Sequence, residues 1–197
     1  MAKVVKKAPT NLNLHPLIVN RWSPRSLEAH DVISTDDLTA ILEAARLAPS
    51  AFNEQPWRYI VGKRGDETFA QILAGLGEFN QKWAQNASAL LLVCGTKQRT
   101  NGDPHPSYQY DLGLSVSQAS FEAHHRGYVT HQMTGFNHDV MCQTFDLTTL
   151  EPVVVVAIGR QGDVEQLPEA MAEREKAKPV RDRKSTRLNS SHLGISY

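Results

Sequence analysis

The chain has 197 residues, of which 41% are hydrophobic and 21% are charged, and this composition is typical of one folded globular domain and excludes a disordered chain. The 21 basic residues balance the 21 acidic ones, so no net charge points to a nucleic-acid or membrane-surface partner. Two cysteines are too few for a disulfide framework, and we therefore expect a cytoplasmic protein.

The first residues predict a loose basic arm over 1–11, followed by a single domain over 12–184. The arm carries three lysines, but no apolar segment follows them, so we expect no secretory signal. The longest apolar run, 87–94, is far shorter than the ~20 residues that a membrane helix requires. We therefore expect no membrane partner.

The first half of the domain is dominated by a predicted helix over 35–48. Its apolar residues recur at helical spacing, Ser34 is placed to cap its start, and Pro49 ends it. Before it, Pro24 predicts a turn after a short helix within 12–20. The elements predicted after it are a strand over 57–63, a helix over 67–74, a short helix over 78–85 and an apolar strand over 87–95.

The second half is organised around a predicted helix over 107–126, which follows a loop at 98–106. This helix is rich in Ser, Ala and Gly, which allow close approach of other elements, so we expect it to lie centrally; Gly127 is placed to end it. The remaining predicted elements are a strand over 128–133, a helix over 137–144, a buried strand over 152–158 and a polar surface helix over 169–176. Alternating helices and strands predict an α/β or α+β sandwich with helices on both faces of a sheet.

Common catalytic and nucleotide-binding motifs are absent from the sequence. Residues 75–80 begin like a dinucleotide fingerprint, but the last position is Asn80 and no strand precedes them. There is no P-loop and no GxSxG motif, and the eight histidines have no spacing typical of a metal site. We interpret Cys94 as a core thiol, and nothing in the sequence around Cys142 predicts an activated nucleophile.

Two polar loops are candidates for ligand binding. Arg21, Ser23 and Arg25 fall within five residues, and two guanidinium groups with a hydroxyl match phosphate oxygens. A solvated basic turn is the alternative, and spacing alone favours it. The second loop, 48–57, carries polar and aromatic residues between a helix and a strand, although helix-stop and strand-start residues are an equally simple explanation.

Two weaker candidates follow. Asn80 precedes Trp83 and an apolar strand, where a helix cap is the simpler interpretation. Thr134 and Gly135 follow a predicted strand and offer backbone N–H groups to a ligand, although most turns of this kind only connect elements.

Taken together, the motifs resemble the nitroreductase family of FMN-dependent oxidoreductases over roughly 14–184. The elements that carry the resemblance occur in this order: RWSPR at 21–25, APSAFNEQPW at 48–57, FN at 79–80, YDLGL at 110–114, HQMTGF at 131–136 and EPVV at 151–154. The resemblance implies an α+β sandwich with a mainly antiparallel central sheet flanked by helices. It also implies an interlocked homodimer with two FMN sites at the subunit interface.

The resemblance also implies roles for individual residues. Arg21, Ser23 and Arg183 would hold the FMN phosphate, while Arg25 and Asn80 would face the pyrimidine edge of the flavin. Thr134 and Gly135 would lie beside flavin N5. Four residues would reach the flavin of the other subunit: Pro49, Ser50, Ala51 and Asn53. The same motifs place three further residues in the cofactor site: Trp22, Gln55 and Gln132.

The chemistry implied is ping-pong transfer of hydride from NAD(P)H, through the flavin, to a small electron-poor acceptor such as a nitroaromatic compound or a quinone. The flavin would carry this chemistry, so we expect no catalytic side chain, and a guanidinium beside the flavin would favour its reduced form. One alternative is reductive dehalogenation or flavin fragmentation, for which only 98–108 is a candidate lid. Another is a flavin-binding protein without catalysis.

The last residues, 185–197, depart from the family pattern. They are polar, have no acidic residue, and stand where family members continue with a proline and an apolar segment that often packs on the partner subunit. We expect this tail to be non-native or disordered, which bears on both dimer stability and FMN affinity.

Overall fold

A four-stranded antiparallel sheet forms the centre of the molecule. The structure, a computed structural model, describes residues 2–181. The strands are β1 (Trp57–Lys63), β2 (Ala89–Thr96), β3 (Val129–Met133) and β4 (Leu150–Gly159), in the spatial order β1-β2-β4-β3. All three pairings are antiparallel, which confirms the α+β fold predicted from the sequence.

Seven α-helices accompany the sheet within the described part of the chain. Their bounds are α1 Pro16–Asn20, α2 Thr35–Arg46, α3 Glu67–Gly75, α4 Glu78–Ala84, α5 Tyr108–His125, α6 His138–Thr144 and α7 Glu169–Lys176. Short 3-10 turns occur at Ala51–Asn53 and Val164–Gln166. None of the helices among residues 2–181 is long and apolar enough to cross a bilayer.

Strand β2 shows why the molecule is a sandwich, with helices packed on both faces of the sheet. Its residues alternate between two hydrophobic cores, with Leu90 and Leu92 in one and Leu91 and Val93 in the other. The first core is covered by apolar side chains of α3, α4, α6 and α7, and the second by those of α2 and α5. The prediction of helices on both faces is therefore confirmed. Burial also raises the pKa of the Cys94 thiol to about 12, as expected for a core thiol.

The element bounds follow local chemistry. Ser34 Oγ accepts a hydrogen bond from the N–H of Asp37 and starts α2, and Gly127, at φ +79°, ends α5 in the left-handed conformation. Strand β4 begins at Leu150, two residues before the predicted start. Pro152 is tolerated there because it lies opposite Cys94 at a register shift, where the regular ladder is interrupted.

The N-terminal arm has no helix or strand over residues 2–14, but several contacts attach it to the domain. The N–H of Ala8 donates to the carbonyl of Val19 at 2.8 Å, and Gln161 Nε2 donates to the carbonyl of Val4 at 2.8 Å. Lys6 Nζ lies 4.7 Å from the ring centroid of Trp22.

Helix α7 differs in one respect from the predicted polar surface helix. Its outer face is exposed, but Met171, Ala172 and Glu175 are buried. The buried carboxylate is the least expected of these, because charged residues are rarely fully buried without partners.

Candidate active site

A cavity of about 540 Å³ lies between the N-terminal segment, helix α5 and strands β3 and β4. Its walls are formed by Arg21, Ser23, Gln109, Leu112, Gly113, Val116, Ser117, Ser120, Phe121, Gln132, Thr134, Val153 and Val154. Four residues of the predicted site therefore meet here, although more than 100 positions separate the first pair from the second: Arg21, Ser23, Gln132 and Thr134.

One wall of the cavity is a face of α5 that the sequence analysis did not assign to the site. Gly113, Ser117 and Ser120 follow the helical spacing i, i+4, i+7 along this face. A Cβ placed on Gly113 would meet no atom within 4 Å, so the face is open to the cavity. Gln132 Nε2 donates to Ser120 Oγ at 2.7 Å and ties β3 to the helix. The helical spacing of these small residues was the available sign of this wall in the sequence.

The segment 21–26, which we name the arginine turn, brings positive charge to the cavity. Burial, and secondly the charge of Arg181, lower the pKa of the Arg21 guanidinium, and no carboxylate of residues 2–181 is among the groups that shift it. The Ser23 hydroxyl is at the same wall. An arginine whose charge is opposed by a second arginine forms a local environment suited to an anion.

Arg25 and Trp22 belong to the arginine turn but do not line the cavity. The guanidinium carbon of Arg25 lies 5.7 Å from the ring centroid of Phe79. Its Nε is buried and has no hydrogen-bond partner among the described residues. A buried guanidinium nitrogen without an acceptor is costly, so this group is poised for a ligand acceptor.

A histidine of β3 contacts the backbone of the arginine turn. His131 Nδ1 lies 3.0 Å from the carbonyl oxygen of Pro24, to which it donates in the neutral tautomer protonated at that atom. The His131 ring packs 4.5 Å from that of Trp83. Burial is the main cause that lowers the pKa of His131, and the charge of Arg25 acts in the same direction.

The second predicted loop, residues 49–55, which we name the proline loop, has a strained backbone. Phe52, Asn53 and Gln55 have φ of 54°, 57° and 48°, a conformation that costs an L-residue roughly 1–2 kcal/mol. The side chain of Phe52 is 82% exposed. Clustered strain of this kind often marks a ligand clamp. None of the predicted residues Pro49, Ser50, Ala51, Asn53 and Gln55 lines the cavity of its own chain.

A buried carboxylate from α5 anchors the proline loop. Asp111 Oδ2 accepts a hydrogen bond from the N–H of Ala51 at 3.1 Å. His105 Nε2 lies 3.4 Å from the same oxygen, within electrostatic reach but without hydrogen-bond geometry. Both side chains are almost completely buried.

The candidate lid is tied to the proline loop. Thr100 donates to Glu54 Oε2 from its N–H at 3.0 Å and from its hydroxyl at 2.7 Å. Arg99 lies with its guanidinium carbon 4.8 Å from the ring centroid of Phe52. The loop at 98–106 therefore packs on the proline loop through both polar and aromatic contacts.

Asn80 and Gly135 lie together, but neither lines the cavity. Asn80 Nδ2 donates to the Gly135 carbonyl at 3.2 Å, and the N–H of Gly77 donates to the same oxygen at 3.0 Å. These bonds attach the turn after β3 to the start of α4. The last predicted site residue, Arg183, and the tail 185–197 lie outside the described residues.

Comparison with known proteins places this geometry in context. The sequence model of the family described as "Nitroreductase family" matches residues 18–76, which contain both the arginine turn and the proline loop. The chain is similar to a solved structure described as an oxidoreductase containing FMN, with a TM-score of 0.82 and 34% identity. This match covers 87% of this chain and 89% of the other.

Two curated relatives extend the comparison. An uncharacterized 15.4 kDa protein of Mycolicibacterium smegmatis is 36% identical over 129 residues, which are 60% of this chain and 84% of that protein. An oxygen-insensitive NADPH nitroreductase of Helicobacter pylori is 32% identical over 96 residues, which are 49% of this chain. The second match spans only 44% of the Helicobacter enzyme.

Proposed function

Because the chain belongs to the nitroreductase family, we propose that it is an FMN-dependent oxidoreductase that uses NAD(P)H to reduce a small electron-poor acceptor, a nitroaromatic compound or a quinone. The observation that carries the proposal is the cavity in which Arg21 and Ser23 meet Gln132 and Thr134. The similar solved structure described as containing FMN supports the choice of cofactor.

The cavity residues fit a phosphorylated flavin. Arg21, with the charge of Arg181 nearby, would hold the phosphate, and Ser23 adds a hydroxyl donor. The open face of α5 around Gly113 leaves room for a flat ring system. Thr134 and Gln132 supply polar groups at the opposite wall. Arg25 does not line the cavity, but its guanidinium, on the same turn as Arg21 and Ser23, would face the ring edge.

The protein's own part is binding and orientation. The residues that line the cavity include no Asp, Glu, His or Cys, so the described chain offers no general base or thiol nucleophile there. Bound FMN would supply the two-electron chemistry, accepting hydride from NAD(P)H and passing it to the acceptor in a ping-pong sequence.

A homodimer is part of the proposal. The proline loop does not line the cavity of its own chain, yet it carries a strained backbone and the exposed ring of Phe52. Leu47 and Tyr110, at 63% and 69% exposure, provide further apolar surface around it. We therefore assign the proline loop to the flavin of the partner subunit. Equilibrium sedimentation of the purified protein should show a dimer.

The experiment that tests the function is spectroscopic. Purified protein supplied with FMN should be yellow and should bleach when NADH or NADPH is added without oxygen. Adding a quinone or a nitroaromatic compound should restore the colour, and initial rates with both substrates varied should give the parallel reciprocal plots of a ping-pong mechanism. Protein that is colourless and does not take up added FMN would contradict the proposal.

A further inference from the structure

The buried carboxylate of Glu175 grips the backbone of the arginine turn. The N–H of Arg25 donates to its Oε2 at 2.8 Å and to its Oε1 at 3.1 Å. The N–H of Ser26 donates to Oε1 at 2.9 Å, and the Ser26 hydroxyl donates to the same oxygen. Glu175 is 1% exposed and lies 150 positions after Arg25. Three donor groups therefore converge on one anion that is removed from water.

This grip leaves little freedom to the turn. The Pro24 carbonyl is bonded to His131, and the Ser26 carbonyl accepts a hydrogen bond from the N–H of Gly162 at 2.8 Å. Hydrogen bonds to a charged group stabilise more than neutral ones, and a buried carboxylate needs them to offset its lost hydration. The backbone from Pro24 to Ser26 is thus fixed from β3, α7 and the segment after β4.

We propose that Glu175 is a positioning residue for the flavin: by fixing the Arg25 backbone, it sets where the Arg25 guanidinium stands against the ring. The inference rests on the proposed function and deepens it. The Arg25 Nε is buried without an acceptor, and Phe79 lies against the guanidinium, so the side chain leaves a fixed backbone along a constrained path. A guanidinium held in this way stabilises the negative charge that reduction places on a flavin.

Two opposite effects make the inference testable. Glu175 is itself negative, so through its charge alone it would disfavour a reduced, anionic flavin, and its neutralisation would raise the reduction potential. If instead it acts by holding Arg25 in place, neutralising it lets the guanidinium drift and lowers the potential. The sign of the change therefore separates positioning from direct electrostatics.

The experiment compares Glu175→Gln with Glu173→Gln, a matched control on the exposed face of the same helix. Hydrogen exchange of the peptide spanning 24–27 is measured without flavin, and the FMN dissociation constant and midpoint potential are measured with it. For Glu175→Gln we expect faster exchange, a dissociation constant raised about tenfold and a more negative potential. Glu173→Gln should match the parent protein in all three.

Ser26→Ala removes only the hydroxyl donor and carries the same test if Glu175→Gln does not fold. It should change each quantity in the same direction by a smaller amount. Unchanged exchange in the variant that folds, or a potential that rises or stays the same, would overturn the inference. Failure of the proposed function looks different, since the parent protein and Glu173→Gln would then bind no FMN either.

Discussion

The arginine turn and the proline loop both present groups to the proposed cofactor, but they are stabilised in opposite ways. The arginine turn has no residue at positive φ, and the carboxylate of Glu175 meets three of its donors. The proline loop has three non-glycine residues at positive φ, and the carboxylate of Asp111 accepts one of its N–H groups. The arginine turn is held by a buried carboxylate without backbone strain. The proline loop keeps its strain and is held by Asp111 and by the contacts of Glu54 and Phe52 with residues 99–100.

This difference indicates a division of labour. A phosphate is bound most tightly by groups that are already in place, because binding then causes little loss of conformational entropy. A loop that reaches across to a second subunit benefits from a conformation that only its target completes, and stored strain provides it. We therefore expect the arginine turn to govern cofactor affinity and the proline loop to govern assembly of the proposed dimer.

The largest expected effect comes from removing the anchor of the proline loop. Asp111→Ala leaves the Ala51 N–H without its acceptor and His105 buried without its acidic neighbour. We expect a loss of about 3 kcal/mol in the free energy of unfolding, measured by urea denaturation. Asp139→Ala is the control, because its side chain is 92% exposed, and it should change little. Equal stabilities would show that the loop does not depend on α5.

Removing the charge of Arg21 should leave folding intact and weaken the binding of FMN. Arg21→Ala should raise the FMN dissociation constant about thirtyfold, equivalent to roughly 2 kcal/mol, as followed by quenching of FMN fluorescence. The unfolding free energy should not fall, since Arg181 repels Arg21. Arg46→Ala, at an exposed pair with Glu43, is the control. Unchanged affinity would remove the arginine turn from the phosphate site.

Acid should loosen the arginine turn through His131. Burial holds the pKa of His131 below 6.5, so the folded protein favours the neutral ring and the unfolded chain takes up the proton first. The contribution of neutral His131 to the free energy of unfolding is fully present above about pH 6.5, the pKa of the unfolded chain. It is lost as the pH falls from there through the lower pKa of the folded protein. His131→Asn retains a donor for the Pro24 carbonyl. Between pH 7 and 5, the urea midpoint of this variant should fall less than that of the parent protein. Parallel curves for the two would contradict this account.

The smallest effect should reveal the strain in the proline loop. Gln55→Gly removes an L-residue from φ 48° and should stabilise the protein by about 0.5 kcal/mol, because relief of strain outweighs the entropy that glycine adds to the unfolded chain. Gln85→Gly is the matched control: each glutamine side chain donates one hydrogen bond to a nearby carbonyl, but Gln85 has a φ of −56°. With no strain to relieve, Gln85→Gly should destabilise the folded protein. Thermal melts of both variants should therefore move in opposite directions.

Local periodicity was sufficient to predict most of the helices and strands, whereas the antiparallel arrangement of the sheet was implied by the family resemblance. Strand β1 and helix α7 begin and end at the predicted residues, because their apolar and polar patterns change sharply there. The start of β2 is two residues later than predicted, since Ala87 and Ser88 are as apolar or as small as the strand that follows. In the spatial order of the strands, β4 lies between β2 and β3, a tertiary arrangement to which no local pattern corresponds.

The candidate site was less accessible from the sequence. Arg21 and Thr134 meet across the cavity only because of the fold, and spacing alone favoured a solvated turn for the first of them. Glu175 could not be identified at all, because a single glutamate in a polar helix has the pattern of a solvent-facing residue. Its partners are backbone N–H groups, which every residue carries and which therefore leave no trace in a sequence.

The bond between Glu175 and the arginine turn also has a consequence for the order of folding. It joins residues 150 positions apart, so it closes one of the longest loops in the described chain, and contacts of that range form late. During synthesis the arginine turn leaves the ribosome early, but Glu175, its anchor in α7, follows only 150 residues after Arg25. The backbone of Arg25 and Ser26 would then gain its full set of hydrogen bonds only once α7, the last helix of the described chain, has been synthesised.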